Sequence, residues 1–250
     1  MKRIILFLLF LFPVLVFSQE MEGRIRYLVV NNWTKQMEHL DYLSKQQREK
    51  VAYMWGNRSE WKSYSNLFFK ANQTKYEASE EKAEPEDEGG YSWRKDVFFQ
   101  KRDFDKNTQY DGLTMLGKTY LVEDSLAAPK WRILNDLKEV AGHVCMKAFA
   151  QDTVRKQKII AWFAQDILHS GGPAGFYGLP GMILEIDVNE GAMVLTADLI
   201  EMKKLTTELD PPAKLKGKKI KQADYDKLIK AHIKEKTEAE EPWFWGIRYI

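Results

Sequence analysis

The chain has 250 residues, 44% of them hydrophobic, with 38 basic and 36 acidic side chains and a single cysteine, Cys145. One cysteine excludes an intramolecular disulfide framework, and the near balance of charge excludes the bulk positive field that nucleic acid or an anionic membrane surface would need. The length is ample for one packed domain without covalent staples.

Residues 1–18 read as a secretory signal peptide. Lys2 and Arg3 form its positive start, the apolar run opens at Ile4, Pro13 breaks it, and Val16-Phe17-Ser18 offers a cleavage site. The apolar run of residues 4–17 is shorter than the roughly 20 residues that cross a bilayer. No cysteine follows it, so a lipoprotein anchor is not expected. Loss of Lys2 and Arg3 brings the basic residues level with the 36 acids. The expectation is a single secreted domain over 19–250, periplasmic or associated with the outer membrane, with membrane contact at most peripheral.

Alternation of Ile25, Tyr27 and Val29 with Arg24, Arg26 and Leu28 predicts a strand over 23–31. A polar helix is expected over 34–49, with Thr34 as its N-cap and Met37, Leu40 and Leu43 at helical spacing. Two strands, 51–55 and 60–66, flank a turn-rich four at 56–59. The run 77–90 is dense in Glu and Asp and contains Pro85 and Gly89-Gly90, which predicts a solvated loop. Its acids lack the spacing of a calcium loop. From 96 to 188 the apolar segments recur about every ten residues, the pattern of an antiparallel meander: 97–99, 113–116, 119–122, 131–134, 139–149, 156–164 and 182–188. In the last of these Met182, Leu184, Ile186 and Val188 share one face, and Glu185 and Asp187 the other. Asn189-Glu190-Gly191 turns into a further strand at 192–199, completing a hairpin. After Pro211-Pro212 and a lysine-rich turn at 214–221, Tyr225, Leu228, Ile229, His232 and Ile233 form the stripe of an amphipathic helix over about 222–240.

The most specific segment is 171–186, where Gly171, Gly172, Gly175, Gly178 and Gly181 accompany Pro173 and Pro180 ahead of a strand. A phosphate-binding loop would need a helix after it and a basic residue within it, and neither is present before Ile186. A rigid double turn is the better reading, with the prolines fixing φ and the glycines free to take φ > 0. His143 and Cys145 are two apart on a strand, so both point to one face, as a metal pair or a Cys-His nucleophile would require. Further ligands at a useful spacing are missing, and a thiol between Val144 and Met146 is expected to have a raised pKa. No Ser-His-Asp arrangement, zinc motif or nucleophile elbow is evident. No cofactor is implied.

The chain resembles the GLPGLI family of Bacteroidota, secreted proteins of unknown function. Gly178-Leu179-Pro180-Gly181-Met182-Ile183 carries the likeness, with Met182 in place of a leucine, and Gly172-Pro173 precedes it. Upstream, Trp131, the segment Gly142-His143-Val144-Cys145-Met146-Lys147, and Trp162 match the family's tryptophan strand, cysteine-lysine segment and aromatic strand. His143 stands where a tyrosine is usual. The resemblance implies an envelope location and work beside outer-membrane receptors, and supplies no catalytic residue.

The expected fold is mainly β (α+β): a strongly curved antiparallel sheet or incomplete barrel with one or two helices packed on it. Three functions compete. A non-catalytic binding or accessory protein would hold an apolar ligand in an aromatic groove or dock on an outer-membrane protein. An enzyme would need Asp166, Glu185, His143 and Cys145 to converge. A structural or adhesion module would have a packed interior and surface aromatics at 243–249.

Overall fold

The computed structural model describes residues 21–54, 59–83 and 96–250. The expected signal segment 1–18, most of the expected 56–59 turn and residues 84–90 of the expected acidic loop lie outside them. Within the described residues twelve strands form one sheet. The chain starts in its middle with β1 (Glu22–Asn32) and runs outward through β2 (Glu60–Lys70), β3 (Gln73–Ala78), β4 (Phe98–Asp103), β5 (Thr108–Met115) and β6 (Lys118–Ser125). It then reappears at the far edge as β7 (Arg132–Val140). From there it returns inward through β8 (His143–Asp152), β9 (Gln157–Ala164), β10 (Met182–Val188) and β11 (Met193–Met202), which pairs with the free side of β1. A short β12 (Lys218–Ile220) adds to β6 in parallel, and all other pairings are antiparallel.

This connectivity forces curvature. A flat sheet would separate β6 from β7 by ten strand steps, about 48 Å at ~4.8 Å each. Residues 126–131 bridge that gap, and so short a link reaches at most about 25 Å. The two ends of the sheet must therefore come round toward one another, and the sheet is rolled without being closed.

Alternation sets the inner face. Ile25, Tyr27 and Val29 of β1 pair across with Leu67 and Ser65 of β2 and with Leu195 and Ala197 of β11, and their rings and methyls are at most 6% exposed. The same face continues through Ile186 and Val188, then Ile159, Ala161 and Phe163, then Ala148 and Ala150. Two segments fill the hollow from opposite ends of the strands. At the end marked by Val188 and Gln157, the C-terminal tail brings in Trp243, Phe244, Ile247 and Tyr249. Trp243 stacks on Tyr249 at 5.3 Å, and Asn189 donates to the Tyr249 hydroxyl at 2.9 Å. At the other end, the connection between β9 and β10 folds inward, and the Tyr27 hydroxyl donates to Ile183 O at 2.7 Å. The filled hollow is the packed interior expected of a structural or adhesion module, but the surface aromatics expected at 243–249 are not seen: Trp243, Phe244 and Tyr249 are core and Trp245 is half-buried against it.

The helices differ from expectation at the N-terminal side. Residues 33–54 form two short helices, α1 (Trp33–Glu38) and α2 (Lys45–Met54), with a break between them where Leu40 and Leu43 are buried. Asn32, not Thr34, caps α1, its side chain accepting from Lys35 N at 2.9 Å. The expected strand at 51–55 is helical through Met54, because the polar 45–50 run has no strand partner and the β-branched Val51 alone cannot override it. Three further differences are local. The lysine-rich turn contains β12. The segment 139–149 is not one strand but the β7–β8 hairpin, turning at Ala141-Gly142, both with φ > 0. A register shift between Ile183 and Glu185 places Met182 opposite Ala164 and Ile183 opposite Phe163, so Met182 lies on the other face from Ile186.

α3 (Gln222–Glu238) follows the sequence reading and buries Tyr225, Ile229 and His232. The Tyr225 ring lies 5.8 Å from that of Tyr120 on β6, and its hydroxyl is pushed up to about 12, by burial first, with the charges of Arg155 and Arg248 opposing. α3 thus packs beside β6, and His232 ties it to the C-terminal tail through Trp243 O at 2.8 Å. Among the described residues no helix is long and apolar enough to cross a membrane.

Candidate functional site

The segment that carries the family resemblance divides between two places. Its glycine-rich part is the inner plug. Gly172 is extended, Pro173–Gly175 makes one tight turn, and backbone bonds from Gly178 N to Ser170 O, Met182 N to Ile167 O and Ile183 N to Gly171 O clamp the loop to its own ends. Leu179 is 2% exposed and Pro180 is exposed. The Trp131 indole donates to Tyr177 O at 2.8 Å and its ring packs on Phe176, tying the β6–β7 crossover to the loop. Gly175 sits against Arg102 and Gln100, where a Cβ would come within 2.7 Å of both side chains.

His169 is the loop's titratable joint. Its Nδ1 accepts from Gly171 N at 2.9 Å, and its ring lies edge-on to Phe69 and Phe104. Burial lowers its pKa to about 4 from 6.5. The folded state holds the neutral ring, since a proton on Nδ1 would take away the acceptor for Gly171. Its contribution to stability is therefore complete above pH 6.5 and is lost as pH falls toward 4. The loss amounts to about 3 kcal/mol, because each tenfold drop in proton affinity on folding is worth ~1.4 kcal/mol. Urea midpoints measured from pH 7 to pH 4 should fall for the native chain and much less for His169→Gln. Superimposable profiles would refute the assignment.

The rest of the resemblance lies on the outer face of β7–β10. Strand register lines up Lys147, Trp162, Glu185 and Thr196 in one row, and Lys138, Cys145, Ala164 and Met182 in the next. Trp162 is half-buried between two ammonium groups, Lys138 at 4.6 Å and Lys147 at 5.6 Å from its ring centre. Lys138 reaches over Trp162 to pair with Glu185, three strands away, and Thr196 donates to the other Glu185 oxygen at 3.1 Å. Lys147 pairs with Asp136 at 3.8 Å. Burial pushes the Asp187 carboxyl up against the pull of the Gly191 N–H, which donates to it at 2.6 Å. Gly142 stands at the hairpin turn, with open space around its Cα.

Of the four groups an enzyme would need, two meet. His143 Nδ1 and Asp166 Oδ2 are 2.7 Å apart. Cys145 is on the same face as His143 but fully buried, its Sγ directed at the His143 carbonyl oxygen at 3.5 Å. Burial, reinforced by the charge of Asp166, pushes the thiol up to about 11, the opposite of an activated nucleophile. Glu185 is committed to Lys138 and Thr196. Among the described residues no three His, Cys, Asp or Glu side chains gather as a metal site.

Two features have no clear signal in the sequence. One is a buried ion pair on the inner face, in which Arg102 grips both carboxylate oxygens of Asp111 beneath Tyr177. The other is a surface groove of 520 Å³ lined by Lys130, Arg132, Phe149, Gln151 and Thr153. The alternation of Phe149 and Gln151 with buried Ala148 and Ala150 points to an outward-facing set on β8, but the apolar pattern that announces β7 stops at Leu134 and gives no partner for it.

A family model described as "Protein of unknown function (Porph_ging)" matches residues 146–185. These residues comprise most of β8, all of β9, the glycine-rich plug and the start of β10. A search of the curated proteins finds no match. Among solved structures the fold is similar to that of PNGF-II in space groups C2 and P21, with TM-scores of 0.54 and 0.53 and identities of 12% and 13%. The likeness covers 83% of this chain in both cases but 32% and 33% of those chains, so this chain spans about a third of their length. At such identity the likeness is one of fold.

Proposed function

We propose that the chain is a secreted, non-catalytic accessory module of the cell envelope, of the GLPGLI type, which docks an outer-membrane protein along the edge strand β7. The observation that carries this reading is an apolar stripe at that edge. The inner face, buried from β1 to β9, runs out through β8 onto β7, the last strand of the sheet among the described residues. Ile133 and Leu137 of β7 are 46% and 62% exposed and Val144 of β8 is 64% exposed, all on the core side. A strand edge with unpaired backbone groups and an apolar flank is what strand addition by a partner uses. The irregularity between Ile133 and Leu137 breaks the edge into two short stretches, which favours one short partner strand over open-ended stacking. Filling of the hollow by Phe69, Phe163, Trp243 and Tyr249 speaks for a docked protein over a carried apolar ligand. The buried, unactivated thiol of Cys145 supports the non-catalytic part.

The test is site-specific photocrosslinking from position 135 on β7 in the native envelope, with position 116 as a remote control. One outer-membrane protein should be captured from 135 and not from 116. Ile133→Lys with Leu137→Lys should abolish capture while leaving the melting temperature within a few degrees, because both side chains are exposed. No crosslink from 135, or capture that survives the double substitution, would overturn the reading.

A further inference from the structure

The outer side of β7 carries a second feature, separate from the apolar stripe. Arg132 and Phe149 are paired across β7 and β8 on the face opposite to Ile133, and Gln151 follows two residues on in the same strand. Lys130 and Thr153 complete a groove of 520 Å³, within the range of small-molecule sites. It contains two full positive charges and no carboxylate.

The ion-pair pattern around it is informative. Four neighbouring cations are matched, Lys138 with Glu185, Lys147 with Asp136, Arg155 with Asp152 at 3.4 Å and Lys158 with Glu190 at 3.3 Å, while Lys156 in the β8–β9 turn has no ion pair among the described residues. Asp152, adjacent to the groove in sequence, is taken up by Arg155 and by the N–H groups of Val154 and Arg155. Among the described residues no acid lies within ion-pair distance of Lys130 or Arg132. What sets the groove apart is that two unmatched cations, Lys130 and Arg132, converge on one concavity. The guanidinium carbon of Arg132 lies 5.3 Å from the Phe149 ring centre, and this stacking holds the planar fork in place at little further entropic cost on binding. Gln151 and Thr153 add neutral donors and acceptors suited to hydroxyl groups.

We propose that this groove binds a small anionic, hydroxyl-bearing molecule of sugar-acid or sugar-phosphate size. Arg132 takes its oxyanion through paired N–H donors, Lys130 supplies a second charge, and Gln151 and Thr153 bind its hydroxyls. Phe149 acts as a positioning residue for the Arg132 fork. Phosphate and carboxylate present the same chemistry to this set, and the choice of probe separates them.

The experiment is an amide NMR titration of the full mature chain with glucose 6-phosphate and with glucuronate, using glucose and inorganic phosphate as half-ligands. Saturable shifts centred on Gln151 and Thr153 are expected for at least one anionic sugar, at a millimolar Kd or tighter, with weaker binding of inorganic phosphate and none of glucose. The tighter of the two sugars identifies the oxyanion. Arg132→Ala should weaken binding at least tenfold. Arg132→Lys should recover part of it, since charge returns without the fork. Lys158→Ala, whose cation is matched, should leave binding unchanged. The absence of saturable shifts with either anionic sugar, or an affinity indifferent to Arg132→Ala, would overturn the proposal. Crosslinking from position 135 reads the opposite face of β7, so the docking reading and this one can fail independently.

Discussion

Asp111→Ala is expected to lower the stability of the fold by about 3–5 kcal/mol, the cost of leaving a buried cation without its partner. Arg102 and Asp111 are 6% and 2% exposed, sit opposite one another's neighbours on β4 and β5, and face the hollow under the glycine-rich loop. Both carboxylate oxygens are taken by the guanidinium, which also donates to Lys101 O at 2.8 Å. Even so, burial raises the Asp111 pKa, outweighing the pull of Arg102. Buried ion pairs return little net stability once both charges are desolvated, which separates two variants that a simple contact picture would treat alike. Removing one partner is severe, whereas replacing both with apolar residues, Arg102→Met with Asp111→Leu, should restore most of the lost stability. Urea denaturation of the three proteins decides it. A single variant within about 1 kcal/mol of the native chain would show that the pair is hydrated or dispensable.

Gly181→Ala is expected to cost more than about 3 kcal/mol, while the same change at Gly142 should cost about 1–2. Both glycines belong to the motif and both have positive φ, +156° and +83°. Their surroundings differ. A Cβ at Gly181 would collide with the carbonyl group of Ala164 and lie 3.0 Å from Gln165 Cα, backbone atoms that cannot swing away; at Gly142 nothing lies within 4 Å. Gly181 is where the plug re-enters the sheet beside the end of β9, so its substitution strains the β9–β10 pairing and the loop together. Thermal melts of the two variants side by side provide the measurement. Equal losses would mean that backbone conformation alone, and not the approach to Ala164, explains the glycine.

Much of the fold is legible in the chain because alternation reports burial on one face. Ile25, Tyr27 and Val29, the strand ending in Val188, the Asn189-Glu190-Gly191 hairpin and the stripe of α3 all follow from it. Legibility fails where local propensity and tertiary context diverge. Val51 lies in a helix because no strand is available to pair with it. The lysine-rich run includes a strand because β6 offers an edge. The β7–β8 hairpin turns at Ala141-Gly142, too weak a turn signal to divide an apolar run. The glycine-rich segment reads locally as a turn, but not as a plug reaching β3 and β4, since nothing local says that Gly175 will rest on Arg102.

For the site the division is similar. Spacing places His143 and Cys145 on one face, and burial gives the thiol the raised pKa expected between Val144 and Met146. Spacing cannot bring Asp166 to His143, Lys138 across Trp162 to Glu185, or Lys130 and Arg132 into one groove. By itself the sequence determined what depends on neighbours along the chain: periodicity, turn chemistry, the single thiol and the balance of charge. Tertiary structure alone decided which charges are matched, which glycines are irreplaceable and where the core face runs out at β7. Those outcomes depend on distances between strands far apart in sequence, set by the rolling of the sheet that the short 126–131 link enforces.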